Sequence, residues 1–346
     1  MRHAGAASAP VSFWLRLQRR PRHRGRISMH KLSARQRTLA GALEFSGFGV
    51  HGGLPVTLTI APAAPETGYR IIRKFADGSQ VGPVPVHFSR VTRTTLCTTL
   101  DLGDSASVAT VEHVVSALSG LGVDNALITV DGPECPILDG SAAPYVDAIR
   151  AIGLDVQPAP RRYIKIMRQV LVRNNEASAA LEPYNGRAFD LEIDFDSKVI
   201  GRQRMIFDWT PRRYAEDVSR ARTFGFARDA RILRQAGYAL GSSLDNSITV
   251  EDDRILNPGG LRYEDEFVRH KLLDAVGDLA LCGLPIYGRF RSYKGGHALN
   301  ALVLHGLFAS EANYEVVTAE QLPLAFDALD DMPEGIAVQP YLRSVG

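Results

Sequence analysis

His270, Asp274 and Asp278 stand at four-residue intervals in DEFVRHKLLDAVGDL, residues 265–279. On a helix, positions four apart lie about 40° apart, so the three side chains form one stripe. Val268, Leu272, Ala275, Val276 and Leu279 fall opposite it, as a core face. A His-x-x-x-Asp pair on a helix can hold a metal. It can equally be the solvated face of a surface helix, and the spacing alone does not choose.

The other histidines narrow the chemistry. Of nine, His3, His23 and His30 lie in an N-terminal stretch without periodicity, and His87 and His305 sit inside apolar patterns, as core or surface residues. His51, in a Gly-rich turn, is ambiguous. His113 follows Glu112 at a helix start, and His297 follows two glycines in YKGGHALN. A catalytic zinc takes three protein ligands and keeps one position open; His113, His270 and Asp274 supply such a set. Such an ion brings the pKa of its water to about 7. Glu112 then reads as general base, His297 as general acid or stabiliser of developing negative charge, and Asp278 as the partner that orients an imidazole. Two His and a carboxylate are also the ligand set of non-haem iron oxygenases, although no Arg anchor for a 2-oxoacid is evident.

The elements that must position these residues come in two similar runs. From Thr38 to about Asp131 the period is mostly two, in TLAGALEFSGFGV, LPVTLTIAP, GYRIIRK, PVPVHF and TLCTTLDL. TVEHVVSALSGLGV then turns helical, DNALITVDG returns to strand, and GSAAPYVDAIRAIGL is a second helix with Ser141 as cap and Pro144 in its first turn. DVQPAPRR reads as a linker. The plan repeats in RYIKIMRQVLVR, ASAALEPY, FDLEIDF, the capped start TPRRYAEDV, the His270 helix, the strand PIYGRFRSY and the helix HALNALVLHGL. EHVVSALSGLGV and RHKLLDAVGDLALCGL both carry His second, at a helix head. Two units packed face to face would bring His113 and His270 together. Such an order predicts an α+β fold: residues 35–155 and 161–335 as two β-α-α-β units, each a sheet with helices on one face, packed helix layer to helix layer, with an inserted segment near 225–256.

Composition excludes other classes. The 346 residues contain no apolar run long enough to span a bilayer. Cys97, Cys135 and Cys282 form no Cys-x-x-Cys pair, which argues against a thiolate zinc site or a disulfide scaffold and fits a reducing, cytoplasmic setting. Residues 1–40 carry ten Lys or Arg and no acid; thirty basic against 38 acidic residues remain, a net of −8. An acidic body is a poor nucleic-acid surface. The basic leader resembles a transit peptide in composition, but the favoured reading is a disordered or misassigned extension over residues 1–34, with Met29 the true start and residues 1–28 dispensable. GFGVHG, residues 47–52, matches a dinucleotide fingerprint, but a strand follows it instead of a helix, so it reads as a hairpin turn.

TVEHVVSALSGLGVDN, PILDGSAAPYVDAI, SRARTFGF, DEFVRHKLLDAVGDL and KGGHALN, in that order, resemble the motifs of the bacterial UDP-3-O-acyl-N-acetylglucosamine deacetylases. The similarity runs from about Arg37 to about Phe326. It implies one zinc per chain on His113, His270 and Asp274, with Glu112 as base, His297 as cationic catalytic His and Asp278 as its partner. By the same resemblance Thr223 would polarise the scissile amide carbonyl, and Lys271 and Phe224 would bind substrate, Lys271 at the nucleotide diphosphate. The implied activity is hydrolysis of the N-acetyl amide of a UDP-3-O-(3-hydroxyacyl)-N-acetylglucosamine, the committed step of lipid A biosynthesis, by a cytoplasmic monomer. Gly295 stands where the family more often has Ser, and Ala301 where Asn is frequent; neither is a proposed ligand. The acyl chain needs an apolar groove, since each buried CH₂ contributes about 0.8 kcal/mol. The segment FGFARDARILRQAGYALGSSLDNSITVEDDRIL, with Phe226, Ile232, Leu233 and Leu240, is the expected wall.

Overall fold

A computed structural model describes residues 34–322 and the strand Arg16–Arg19. The architecture is α+β, in two layered units. In the first, Gly41–Phe48 and Pro55–Pro62 form a hairpin around the Gly-rich turn, and Ala126–Val130 lies between Pro55–Pro62, antiparallel, and Tyr69–Lys74, parallel. Alternation explains the layer: Leu43 and Phe45 on one strand, and Val56, Leu58 and Ile60 on the next, all point into the core. Over this face lie α1 (Glu112–Gly120) and α2 (Ala143–Ile152). In the second unit Ile286–Tyr293 takes the central place, antiparallel to Ala177–Glu182 and parallel to Arg187–Asp194 and Arg162–Ile166. A three-residue helix, α3 (Pro211–Arg213), starts at the Thr210 cap and passes into a π turn. The inserted segment folds as a strand Phe224–Phe226, helix α4 (Ala227–Gln235) and a return strand Ile248–Glu251. The long helix α5 (Glu266–Ala280) and α6 (His297–Phe308) complete the unit.

The two helix layers face each other through α1 and α5. Ser116 Oγ on α1 donates to the Leu273 carbonyl on α5 at 2.7 Å, and Tyr214 OH meets the same Oγ at 2.7 Å. Gly277 lies so close to α1 that a Cβ there would sit 2.1 Å from the Glu112 carbonyl oxygen. This contact decides the first ambiguity in the sequence. The polar stripe of α5 is not a solvated face: His270, Asp274 and Asp278 are each 2% exposed, buried as deeply as the apolar side.

Three smaller expectations change. DVQPAPRR is not a linker: Leu154–Pro160 is a strand paired with Arg35–Leu39, and its register shifts between Val156 and Pro160, where prolines offer no N–H. Ala142, not Ser141, is the N-cap of α2, although Ser141 Oγ still accepts the Ala143 N–H. Regular structure starts before Thr38, because Arg16–Arg19 pairs antiparallel with Gly41–Glu44. The rest of residues 1–33, and residues 323–346, lie outside the described residues.

The start of α5 is tied to the loop before the inserted segment by a buried ion pair. Glu266 is fully buried and takes Arg222 Nε at 2.9 Å and Nη2 at 3.1 Å. Removing one partner of such a pair leaves an uncompensated buried charge and costs about 3–5 kcal/mol. Arg222→Ala is therefore expected to lower stability in urea unfolding by that amount. A change below about 1 kcal/mol, the range of an exposed pair, would show that solvent reaches Glu266.

Candidate metal centre

His113 stands in the first turn of α1, and His270 and Asp274 face it from α5. Their ligand atoms all lie within 4.8 Å of one another. His270 Nε2 is 3.3 Å from Asp274 Oδ1, and His113 Nε2 is 3.9 Å from the same oxygen. His270 Nδ1 donates to the Ala221 carbonyl at 3.0 Å, which orients the ring and leaves Nε2 as the available lone pair.

Buried polar atoms are ordinarily hydrogen-bonded. Here His113 Nδ1 and Asp274 Oδ1 are buried without a partner. Protonation also suits a cation. Burial, with His270 alongside, pushes His113 down to about 3. Burial likewise lowers His270, against the pull of Asp274. Burial alone would raise Asp274, but His270 and the Lys271 ammonium hold its carboxyl well below the usual range. The site therefore offers two neutral imidazoles and one carboxylate, the state metal ligation requires. These residues fit a divalent ion.

Glu112 and His297 flank the cluster. Glu112 Oε2 accepts the Thr98 N–H at 3.1 Å. His297 Nε2 is 4.0 Å from both Glu112 Oε1 and Asp274 Oδ2, while its Nδ1 donates to Asp278 Oδ2 at 2.8 Å. Asp278 also accepts from Thr98 Oγ1 at 2.6 Å and Asn300 Nδ2 at 2.9 Å. Thr98 therefore touches Glu112 with its backbone and Asp278, the partner of His297, with its hydroxyl. Sequence reasoning missed it, because a Thr in TLCTTL signals only a strand. Asn300 was visible as part of HALN but without a role.

Lys271 Nζ donates to Asp274 Oδ2 at 2.7 Å, which leaves further N–H groups for an anion. Phe224 lies edge-on to His270, with ring centres 6.2 Å apart, and Lys271 Nζ is 5.7 Å from its ring. Thr223 makes backbone hydrogen bonds to Gly140 and Ile248; among the described residues its hydroxyl meets no member of the cluster. The inserted segment docks on the Gly-rich turn, with Leu240 N–H donating to the His51 carbonyl and Gly241 N–H to that of Val50. The His51 ring faces Tyr238, with ring centres 6.0 Å apart, and it is no member of the cluster. His87 and His305 lie elsewhere, both packed on Phe88.

The family model for UDP-3-O-acyl N-acetylglycosamine deacetylase matches residues 36–309. Proteins named UDP-3-O-acyl-N-acetylglucosamine deacetylase from Brucella ovis, Brucella canis and Brucella abortus are each 44% identical to it over 289 residues, 83% of this chain and 100% of theirs. With similarity of that extent covering both units and every residue of the buried cluster, the chain belongs to the UDP-3-O-acyl-N-acetylglucosamine deacetylase family.

Proposed function

We propose that this protein is a zinc-dependent deacetylase that hydrolyses the N-acetyl amide of a UDP-3-O-(3-hydroxyacyl)-N-acetylglucosamine in the cytoplasm, releasing acetate and the free amine for lipid A biosynthesis. The observation that carries the reading is the buried triad, with its two orphaned polar atoms, beside the neighbouring side chains of Glu112 and His297.

His113, His270 and Asp274 would hold one zinc, which supplies Lewis acidity toward the amide carbonyl and makes water a nucleophile at neutral pH. Glu112 takes the proton of the attacking water on its carboxylate. His297 holds a proton at Nε2, aimed at the centre, and delivers it to the leaving nitrogen as the C–N bond breaks. Asp278 fixes the His297 ring and keeps the proton on it. Thr223 donates to the substrate carbonyl in this scheme, Lys271 contacts the diphosphate, and Phe224 contacts the substrate. The acyl chain runs along the inserted segment, where Ile232, Leu240 and Leu244 present apolar surface to solvent. No helix among the described residues is long and apolar enough to cross a membrane.

Elemental analysis tests the centre. His270→Ala is expected to lose stoichiometric zinc and acetate release together, and His87→Ala to keep both. Full zinc and activity in His270→Ala would end the assignment.

A further inference from the structure

A cavity of about 260 Å³ opens between the two units, and none of Glu112, His113, His270, Asp274 or His297 lines it. At liquid density this is the space of roughly eight or nine waters, about 30 Å³ each. The first unit contributes Tyr69 and Asn125 to its wall, and the second Arg161, Arg187, Phe189 and Phe290.

Arg187 sets its chemistry. The residue is 5% exposed. Its Nη1 donates to the Ser119 carbonyl at 3.3 Å, its Nη2 to Ser119 Oγ at 2.9 Å, and the guanidinium stacks 4.6 Å from the Trp209 ring centre. A guanidinium carries five N–H donors, so others remain. Arg161 has Asp124 at 2.9 Å, and Arg162 has Glu66 at 3.8 Å. Among the described residues, no carboxylate lies within ion-pair distance of Arg187. Burial lowers its pKa only to about 10, so it stays cationic at neutral pH. The carbonyl end of α1 offsets part of this charge. That would explain an arginine capping a helix in a filled interior; it leaves the adjoining void unexplained.

We propose that this cavity binds a small organic carboxylate, its headgroup on Arg187 and its apolar body against Phe189, Leu284 and Phe290. A planar guanidinium matches a carboxylate through paired N–H donors. One unpaired cation suits a monoanion, and the apolar wall calls for a carbon body in place of an inorganic ion. The ligand would touch both units at once and join them away from the catalytic centre.

Calorimetric titration of the zinc-loaded full chain with hexanoate, hexanamide and inorganic phosphate tests this. Hexanoate is expected to bind, and hexanamide and phosphate to bind at least tenfold more weakly. Arg187→Gln should weaken hexanoate at least tenfold. Ala280→Phe, at the half-buried edge of the cavity, should do the same by filling it with Arg187 intact, which keeps the test decisive if Arg187→Gln does not fold. Binding to His270→Ala should stay within twofold of wild type. The proposal is overturned if wild type binds no hexanoate, if binding survives Ala280→Phe, or if it disappears in His270→Ala, which would place the anion at the metal centre. Phosphate binding as tightly as hexanoate would overturn it as well.

Discussion

Glu112→Ala is expected to keep stoichiometric zinc and to lose kcat by a factor of about 10² to 10⁴, the range for a positioned proton-transfer group; His297→Ala should behave alike. Glu112 works as a carboxylate, so its titration makes the rate fall as pH drops. His297 works as an imidazolium, so the rate falls as pH rises through its pKa. Burial drags His297 down, but the charge and hydrogen bond of Asp278, with Glu112 and Asp274 beyond, reverse this and lift it to about 9. The basic limb of the wild-type profile should therefore lie near pH 9 and vanish in His297→Gln, with the acidic limb retained. Burial lifts Glu112 to about 8 against the charge of His297; the positive charge of a cation held by the neighbouring ligands would pull it back, so the acidic limb of the zinc enzyme belongs below that value. Survival of the basic limb in His297→Gln would assign it to another group.

Gly277→Ala is expected to lower the melting temperature and to cut kcat at least tenfold. In an ordinary helix interior the same change stabilises by about 1 kcal/mol, because Ala restricts the unfolded chain and favours helix. Here the added Cβ would lie 2.1 Å from the Glu112 carbonyl oxygen, so α1 and α5 must separate. Overpacking of this kind costs about 1–3 kcal/mol. The displacement falls on the backbone of the proposed base and next to a proposed ligand, where a shift of about 1 Å can cost 10²-fold in rate. Calorimetry with steady-state kinetics reads both effects. A raised melting temperature with unchanged kcat would show that the helices tolerate the methyl group.

What could be read from the sequence follows from which interactions are local. The stripe of His270, Asp274 and Asp278 is set by helical spacing, so it was legible residue by residue. Its convergence with His113 followed from the repeated unit, because matching helices in matching sheets meet head to head. The burial of the stripe was not legible: a helix enclosed on both sides by one chain has the composition of an amphipathic surface helix until its neighbours are known. Thr98 was hidden for the same reason. Its bonds reach Glu112, fourteen residues on, and Asp278, 180 residues on, and nothing in a strand pattern points to either. Leu154–Pro160 misled through its prolines, which remove donors on one edge but permit pairing through the remaining groups.

The halves divide the chemistry between them. Glu112, His113 and Thr98 come from one, and His270, Asp274, Asp278 and His297 from the other. Neither half alone holds all three proposed ligands, so a chain with only one half formed could not complete the centre. Nor can it present a base opposite an acid. On the proposed mechanism, hydrolytic power is thus a property of the docked pair and of neither half.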